Sequence, residues 1–100
     1  MAVSAQKAFD TLTNFIDENG GNYQHWYVGI TSDPETRLFK EHGVSESEKW
    51  VCSPCTTDAD SRNVEMALLN LGCDGHPSDG DNAASWVYAF LKSSRTNPKR

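Results

Sequence analysis

The sequence predicts one α/β (α+β) domain, a small three-stranded mixed sheet flanked by three helices. Two observations carry that expectation. Stretches whose apolar residues recur every three or four positions alternate with stretches whose apolar residues recur every second position, in the order α-β-α-β-α-β. Glycine, asparagine, aspartate or proline punctuates the joins between them. At 100 residues the chain is one domain's worth. The domain is expected over residues 1–92, with 93–100 a polar tail.

In chain order, Ala5, Ala8, Phe9, Leu12, Phe15 and Ile16 form one stripe of a helix that Ser4 caps. Asn19-Gly20-Gly21-Asn22 ends it, because both residue types tolerate the left-handed conformation of a helix stop. His25 to Thr31 reads as the first strand, with Trp26, Val28 and Ile30 alternating against Tyr27, Gly29 and Thr31. Asp33-Pro34-Glu35 starts a short second helix that runs to His42, where Gly43 stops it. Trp50 to Thr56 is a second strand, and Pro54 confines it to an edge or a bulge. A third helix begins near Asp58 to Asp60, buries Val64, Ala67, Leu68 and Leu71, and stops at Gly72. Trp86 to Leu91 is the third strand, with Trp86, Tyr88 and Phe90 on one face.

Nine Lys and Arg against fourteen Asp and Glu leave a net charge of −5, which argues against a broad basic surface that wraps nucleic acid. A local grip on one phosphodiester survives that argument. No apolar run approaches the roughly 18 to 20 residues of a membrane helix, so no membrane partner is expected. Met1-Ala-Val-Ser carries no secretory pattern, and three cysteines are too few for a disulfide framework, which together suggest a reducing cytoplasm.

The stretch from Trp26 to His42 is the most informative in the chain. A strand carrying Tyr27-Val28-Gly29 feeds a helix that presents Arg37, with His42 beyond it. This resembles the second half of the GIY-YIG nuclease signature, in which Tyr-Ile-Gly or Tyr-Val-Gly is followed about ten residues later by an arginine, the interval from Tyr27 to Arg37. The family's metal-binding glutamate on a later helix is matched by Glu65. The resemblance covers roughly residues 25–71 and extends to the last strand. The family's first motif, Gly-Ile-Tyr, has no room before Tyr27. Its nearest equivalent is the strand Trp86 to Leu91, so the chain resembles a circularly permuted member with Tyr88 in place of the first-motif tyrosine. That requires the third strand to lie beside the first. His42 comes five residues after Arg37, where some members place a histidine at four, and on an α-helix the added residue turns the side chain by about 100°. Asn82 matches a polar residue that follows the family's glutamate.

The resemblance implies a small DNA endonuclease or phosphodiesterase that uses one Mg²⁺ or Mn²⁺. Arg37 would stabilise charge on the non-bridging oxygens through bidentate hydrogen bonds. Glu65 would hold the metal with a shell of waters. Tyr27 and Tyr88 would position or deprotonate the attacking water, His42 is a further catalytic candidate, and Gly29, Lys40 and Asn82 would line the substrate. Each residue also has a plainer account: Arg37 with Glu35 or Glu41 as a solvated helix face, Glu65 as an exposed ion pair with Arg62 three residues earlier, and the tyrosines as half-buried sheet aromatics. On either account Arg37 and Glu65 are expected to be exposed, so that substituting them costs no more than about 1 kcal/mol.

A second constellation competes. Cys52-x₂-Cys55 and Cys73-x₂-His76 have zinc-ligand spacing, and a lean domain could gain from a metal staple. Against this, residues three apart in a strand point to opposite faces. The alternatives to a nuclease are therefore a catalytically inactive binding module of the same fold or a small zinc-stapled interaction domain. Metal content separates them: a zinc-stapled protein carries close to one zinc per chain and unfolds on chelation, and a protein that stays folded in chelator refutes that set.

Overall fold

The computed structural model describes residues 2–45, 47–75, 84–93 and 96. Helix α1 (Ala5–Glu18) begins where the Ser4 hydroxyl accepts the Lys7 N–H at 3.2 Å, and closes where the Gly21 N–H donates back to the Ile16 carbonyl at 2.9 Å. Strand β1 spans Trp26–Thr31. A short helix follows, opened by Asp33, whose carboxylate accepts the Thr36 N–H at 3.3 Å and the Thr36 hydroxyl at 2.8 Å. Strand β2 covers Trp50–Pro54. Helix α2 (Asp58–Asn70) is capped by the Thr57 hydroxyl, which accepts the Asp60 N–H at 3.1 Å. Strand β3 is Trp86–Leu91.

The sheet has the order β1-β3-β2, with β3 in the middle and Pro54 on an edge strand. The last strand thus lies beside the first, and Gly29 sits opposite Tyr88. Both ladders are antiparallel, not mixed. β1 and β2 do run parallel to one another, as a helical connection between them requires, but β3 separates them. Among the described residues, parallel pairing is confined to two isolated bridges, Val3 with Cys55 and Tyr27 with Asp74.

The pleat sends alternate residues to two cores. On one face, Trp26, Val28, Ile30, Val87 and Ala89 pack beneath α1 and α2, which contribute Ala8, Leu12, Ile16, Val64 and Leu68. Trp26 is wholly buried and meets Phe15 edge-on, the ring centroids 5.8 Å apart. Each such side chain contributes roughly 1.5–3 kcal/mol by leaving water. On the other face, Tyr27, Tyr88 and Phe90 lie under Leu38 and Val44 of the short helix and its exit. The buried stripe of α2 departs from the expected one: Ser61, Val64, Glu65 and Leu68 face inward, whereas Leu71 is 48% exposed. The Ser61 hydroxyl ties that stripe to the approach to β3, donating to the Ala84 carbonyl at 2.6 Å.

No described helix is long and apolar enough to cross a membrane. Within the expected tail, Ser93 and Thr96 close a small turn, the Ser93 N–H on the Thr96 hydroxyl at 2.9 Å; its other residues lie outside those described.

Gly29 joins the two motif strands through its missing side chain. A Cβ there would stand 2.6 Å from Cζ of Tyr88. Gly29→Ala is expected to cost about 1–3 kcal/mol by overpacking a filled site. Urea denaturation checks this, and a change within about 0.5 kcal/mol would show that the Tyr88 ring does not lie over Gly29.

Candidate functional site

Because β1 and β3 are neighbours, Tyr27 and Tyr88 share one face of the sheet, and the short helix lowers two further groups onto Tyr88. Nε of Arg37 donates to the Tyr88 hydroxyl at 3.3 Å, and Nε2 of His42 lies 2.8 Å from the same oxygen. A guanidinium can only donate, so the hydroxyl oxygen accepts from Arg37. The direction of the second bond follows the imidazole's tautomer: the phenol donates to Nε2 when His42 carries its hydrogen on Nδ1, and accepts when Nε2 is protonated. The His42 ring is wholly buried, its centroid 5.0 Å from those of Tyr27 and Phe90.

The five-residue interval that would turn His42 away on an α-helix does not do so, because the helix is not α over this stretch. Thr36–Glu41 is a π-helix, closed by the His42 N–H donating to the Arg37 carbonyl at 2.9 Å. A turn that bonds the fifth residue rather than the fourth absorbs the added position and returns His42 to the face of Arg37. Gly43, at φ 71°, then lets the chain leave, and the Val44 N–H donates to the Leu38 carbonyl at 2.9 Å.

Glu65 and Arg37 also differ from the expectation of exposed helix faces. Glu65 is 1% exposed, carried on the inward stripe of α2, and the Arg37 side chain retains 19% of its exposure. A loss of about 1 kcal/mol therefore understates the cost of removing a carboxylate that folding has taken out of water. Burial pushes the Tyr88 phenol far above its ordinary value. Arg37 pulls it back, while Tyr27 and Glu65 add to the rise. Burial disfavours the Arg37 charge, but hydrogen bonds to Tyr88 and Glu41 outweigh it and hold the guanidinium ionised.

The remaining candidates separate. Gly29 is buried against Tyr88, where it supplies clearance. Lys40 is exposed in the last turn of the π-helix. Asn82 and His76 lie outside the described residues. The zinc set does not assemble from its described members: Cys52 packs on the Tyr88 face and Cys55 and Cys73 in the opposite core, as residues three apart in a strand must. Burial raises all three thiols, so they remain protonated, and no group of three metal-binding side chains occurs among the described residues. A groove of about 300 Å³ opens between Ala5 and Phe9 of α1 and Asn63, Val64 and Ala67 of α2, and no candidate residue lines it. Of the two acidic neighbours that the helix face offers Arg37, it is Glu41, at i,i+4, that pairs with it.

Comparison with known proteins finds no matching family model, no similar curated protein and no similar solved structure.

A buried neutral phenol makes stability depend on pH. Tyr88 holds its proton above the unfolded value of about 10, so its contribution is complete below that pH and is lost as pH rises beyond it. Tyr23, pushed up to about 12 chiefly by burial and by its hydrogen bond to Asp17, acts in the same direction. Urea midpoints should thus fall between pH 9 and about 11, and fall less steeply in Tyr88→Phe. At pH 8 that variant should lose about 1–3 kcal/mol, because a buried ring nitrogen of His42 loses a hydrogen bond.

Proposed function

We propose that the face built on Tyr88 is a divalent-metal-dependent phosphodiesterase centre acting on DNA, of the GIY-YIG kind with its motif strands in permuted order. The observation that carries the reading is the meeting of Arg37 and His42 on one Tyr88 hydroxyl, with Tyr27 in the same buried cluster. A guanidinium can stabilise charge on the phosphate oxygens, and a phenol coupled to an imidazole can take a proton from water, two tasks that phosphodiester hydrolysis sets.

Arg37 supplies the fixed positive charge. One of its five N–H groups is spent on Tyr88 and another on Glu41, which leaves donors for a non-bridging phosphate oxygen. A Tyr88 phenol held above its ordinary value is a poor base by itself. With His42 in its Nδ1–H tautomer it need never become a phenolate: a proton from water passes to the Tyr88 oxygen as the phenol's proton passes to His42 Nε2. Glu65 would offer Mg²⁺ or Mn²⁺ a hard oxygen donor of the kind such ions take. Bound there, the ion would supply Lewis acidity to the phosphate.

The near-complete burial of His42, Tyr88, Glu65 and Tyr27, at 0%, 1%, 1% and 2%, favours a second reading. In it the cluster is the polar core of a binding module that meets an anion through Arg37 alone.

Plasmid cleavage in Mg²⁺ or Mn²⁺ decides between them. The phosphodiesterase reading expects slow cleavage with little sequence preference. It expects Arg37→Ala to lose about 10²- to 10³-fold in rate while remaining folded. No cleavage above buffer across several divalent metals, or a wild-type rate in Arg37→Ala, leaves the binding module.

A further inference from the structure

The same guanidinium that grips Tyr88 is held on its outer side by a carboxylate. Nη1 of Arg37 donates to Oε1 of Glu41, and the Glu41 side chain is 45% exposed against 19% for Arg37. The inner partner is fixed: Tyr88 is 1% exposed on the central strand and cannot leave. The outer partner has three rotatable bonds and water beside it. A carboxylate and a phosphate present the same planar pair of oxygens to a guanidinium fork, so an anion arriving from solvent competes with Glu41 for Arg37 before any other described group.

We propose that Glu41 is a resident stand-in for the phosphate: its carboxylate occupies the outer donors of Arg37 while the site is empty and swings into solvent when a phosphate oxyanion replaces it. The inference rests on Arg37 being the anion-binding group of the proposed site. Both readings of the function need that, so it stands or falls apart from catalysis. The device is affordable because an exposed i,i+4 ion pair is weak. It keeps Arg37 aligned on Tyr88 and discriminates against ligands that bring no negative charge. Glu41 is thereby a positioning and selectivity residue and touches no reacting atom.

Inorganic phosphate is the probe, titrated into the intact protein and followed by the ¹⁵N-coupled Nε–H resonance of Arg37, with neutral trimethyl phosphate as control. In wild type, phosphate should shift that resonance and the neutral ester should not. Glu41→Gln, an exposed and nearly isosteric change, should tighten phosphate binding by roughly two- to fivefold, the size of an exposed ion pair. If an oligonucleotide is cleaved, the gain should appear in KM rather than in kcat. Unchanged or weaker phosphate binding in Glu41→Gln would show that Glu41 braces Arg37 without competing with phosphate, and would overturn the inference. So would a folded variant whose Arg37 resonance ignores phosphate. Tighter phosphate binding without cleavage by any form would instead sustain the inference and remove the phosphodiesterase reading.

Discussion

The Tyr88 hydroxyl is the point on which one whole face of the domain depends. It sits on the middle strand, so its position is fixed by ladders on both sides, against Gly29 and against Cys52. A hydroxyl buried to 1% must have its hydrogen bonds met by protein, and Arg37 and His42 meet them from a single turn of helix. In a low-dielectric setting a satisfied network of this kind is strong and a partly satisfied one is costly. The π-turn, the left-handed Gly43 and the bare Gly29 are each a local concession that this network makes worthwhile. A π-turn has poorer packing than an α-turn and is uncommon. Here it persists because reverting to α would turn either Arg37 or His42 away from the phenol.

Most of the architecture was legible because it rests on periodicity. Trp26–Thr31 and Trp86–Leu91 are short runs rich in β-branched and aromatic residues, buried on both faces, α1 carries a clean stripe, and Ser4 and Asp33 announce their helices. The adjacency of the first and last strands was readable only through the two tyrosines, since no local signal specifies which strands pair. The π-turn was not readable at all from pattern: Thr36–Glu41 has the composition of an ordinary helix, and the sole trace was an interval of five between Arg37 and His42. The α-β-α-β-α-β order is equally compatible with a mixed sheet, and only the insertion of β3 between β1 and β2 makes both ladders antiparallel.

Glu65 illustrates a different difficulty. A glutamate three residues from an arginine on a helix reads as a solvated pair, and base rates favour that reading. Yet Ser61, Val64, Glu65 and Leu68 stand at the 0, 3, 4 and 7 positions of a buried stripe, and all four are buried. The signal was present as two polar residues occupying core positions, while Leu71, counted with the stripe, faces water. Where polarity and periodicity conflict on a helix, the conflict itself marks a buried polar group that something must satisfy. The cysteines make the converse point. Their spacing suits zinc, but Cys52 and Cys55 share a nearly extended stretch whose pleat sends them into different cores, so a spacing rule drawn from turns fails in a strand.

Net charge and local charge also point in different directions, and distance decides between them. A charge of −5 spread over the surface repels a polyanion at long range, but salt screens such fields beyond roughly 8–10 Å. It therefore slows encounter more than it weakens contact. Contact is governed by what lies within a few ångströms, and there Arg37, mostly removed from water, faces the outside with donors that Tyr88 does not use. Charge carried by a half-buried guanidinium is screened less than the same charge on a free lysine, so one arginine backed by Tyr88 can outweigh the acidic surroundings over the width of a single phosphate. An acidic domain with a recessed cation is thus suited to brief, local recognition of one anionic group, and poorly suited to tracking along an extended backbone.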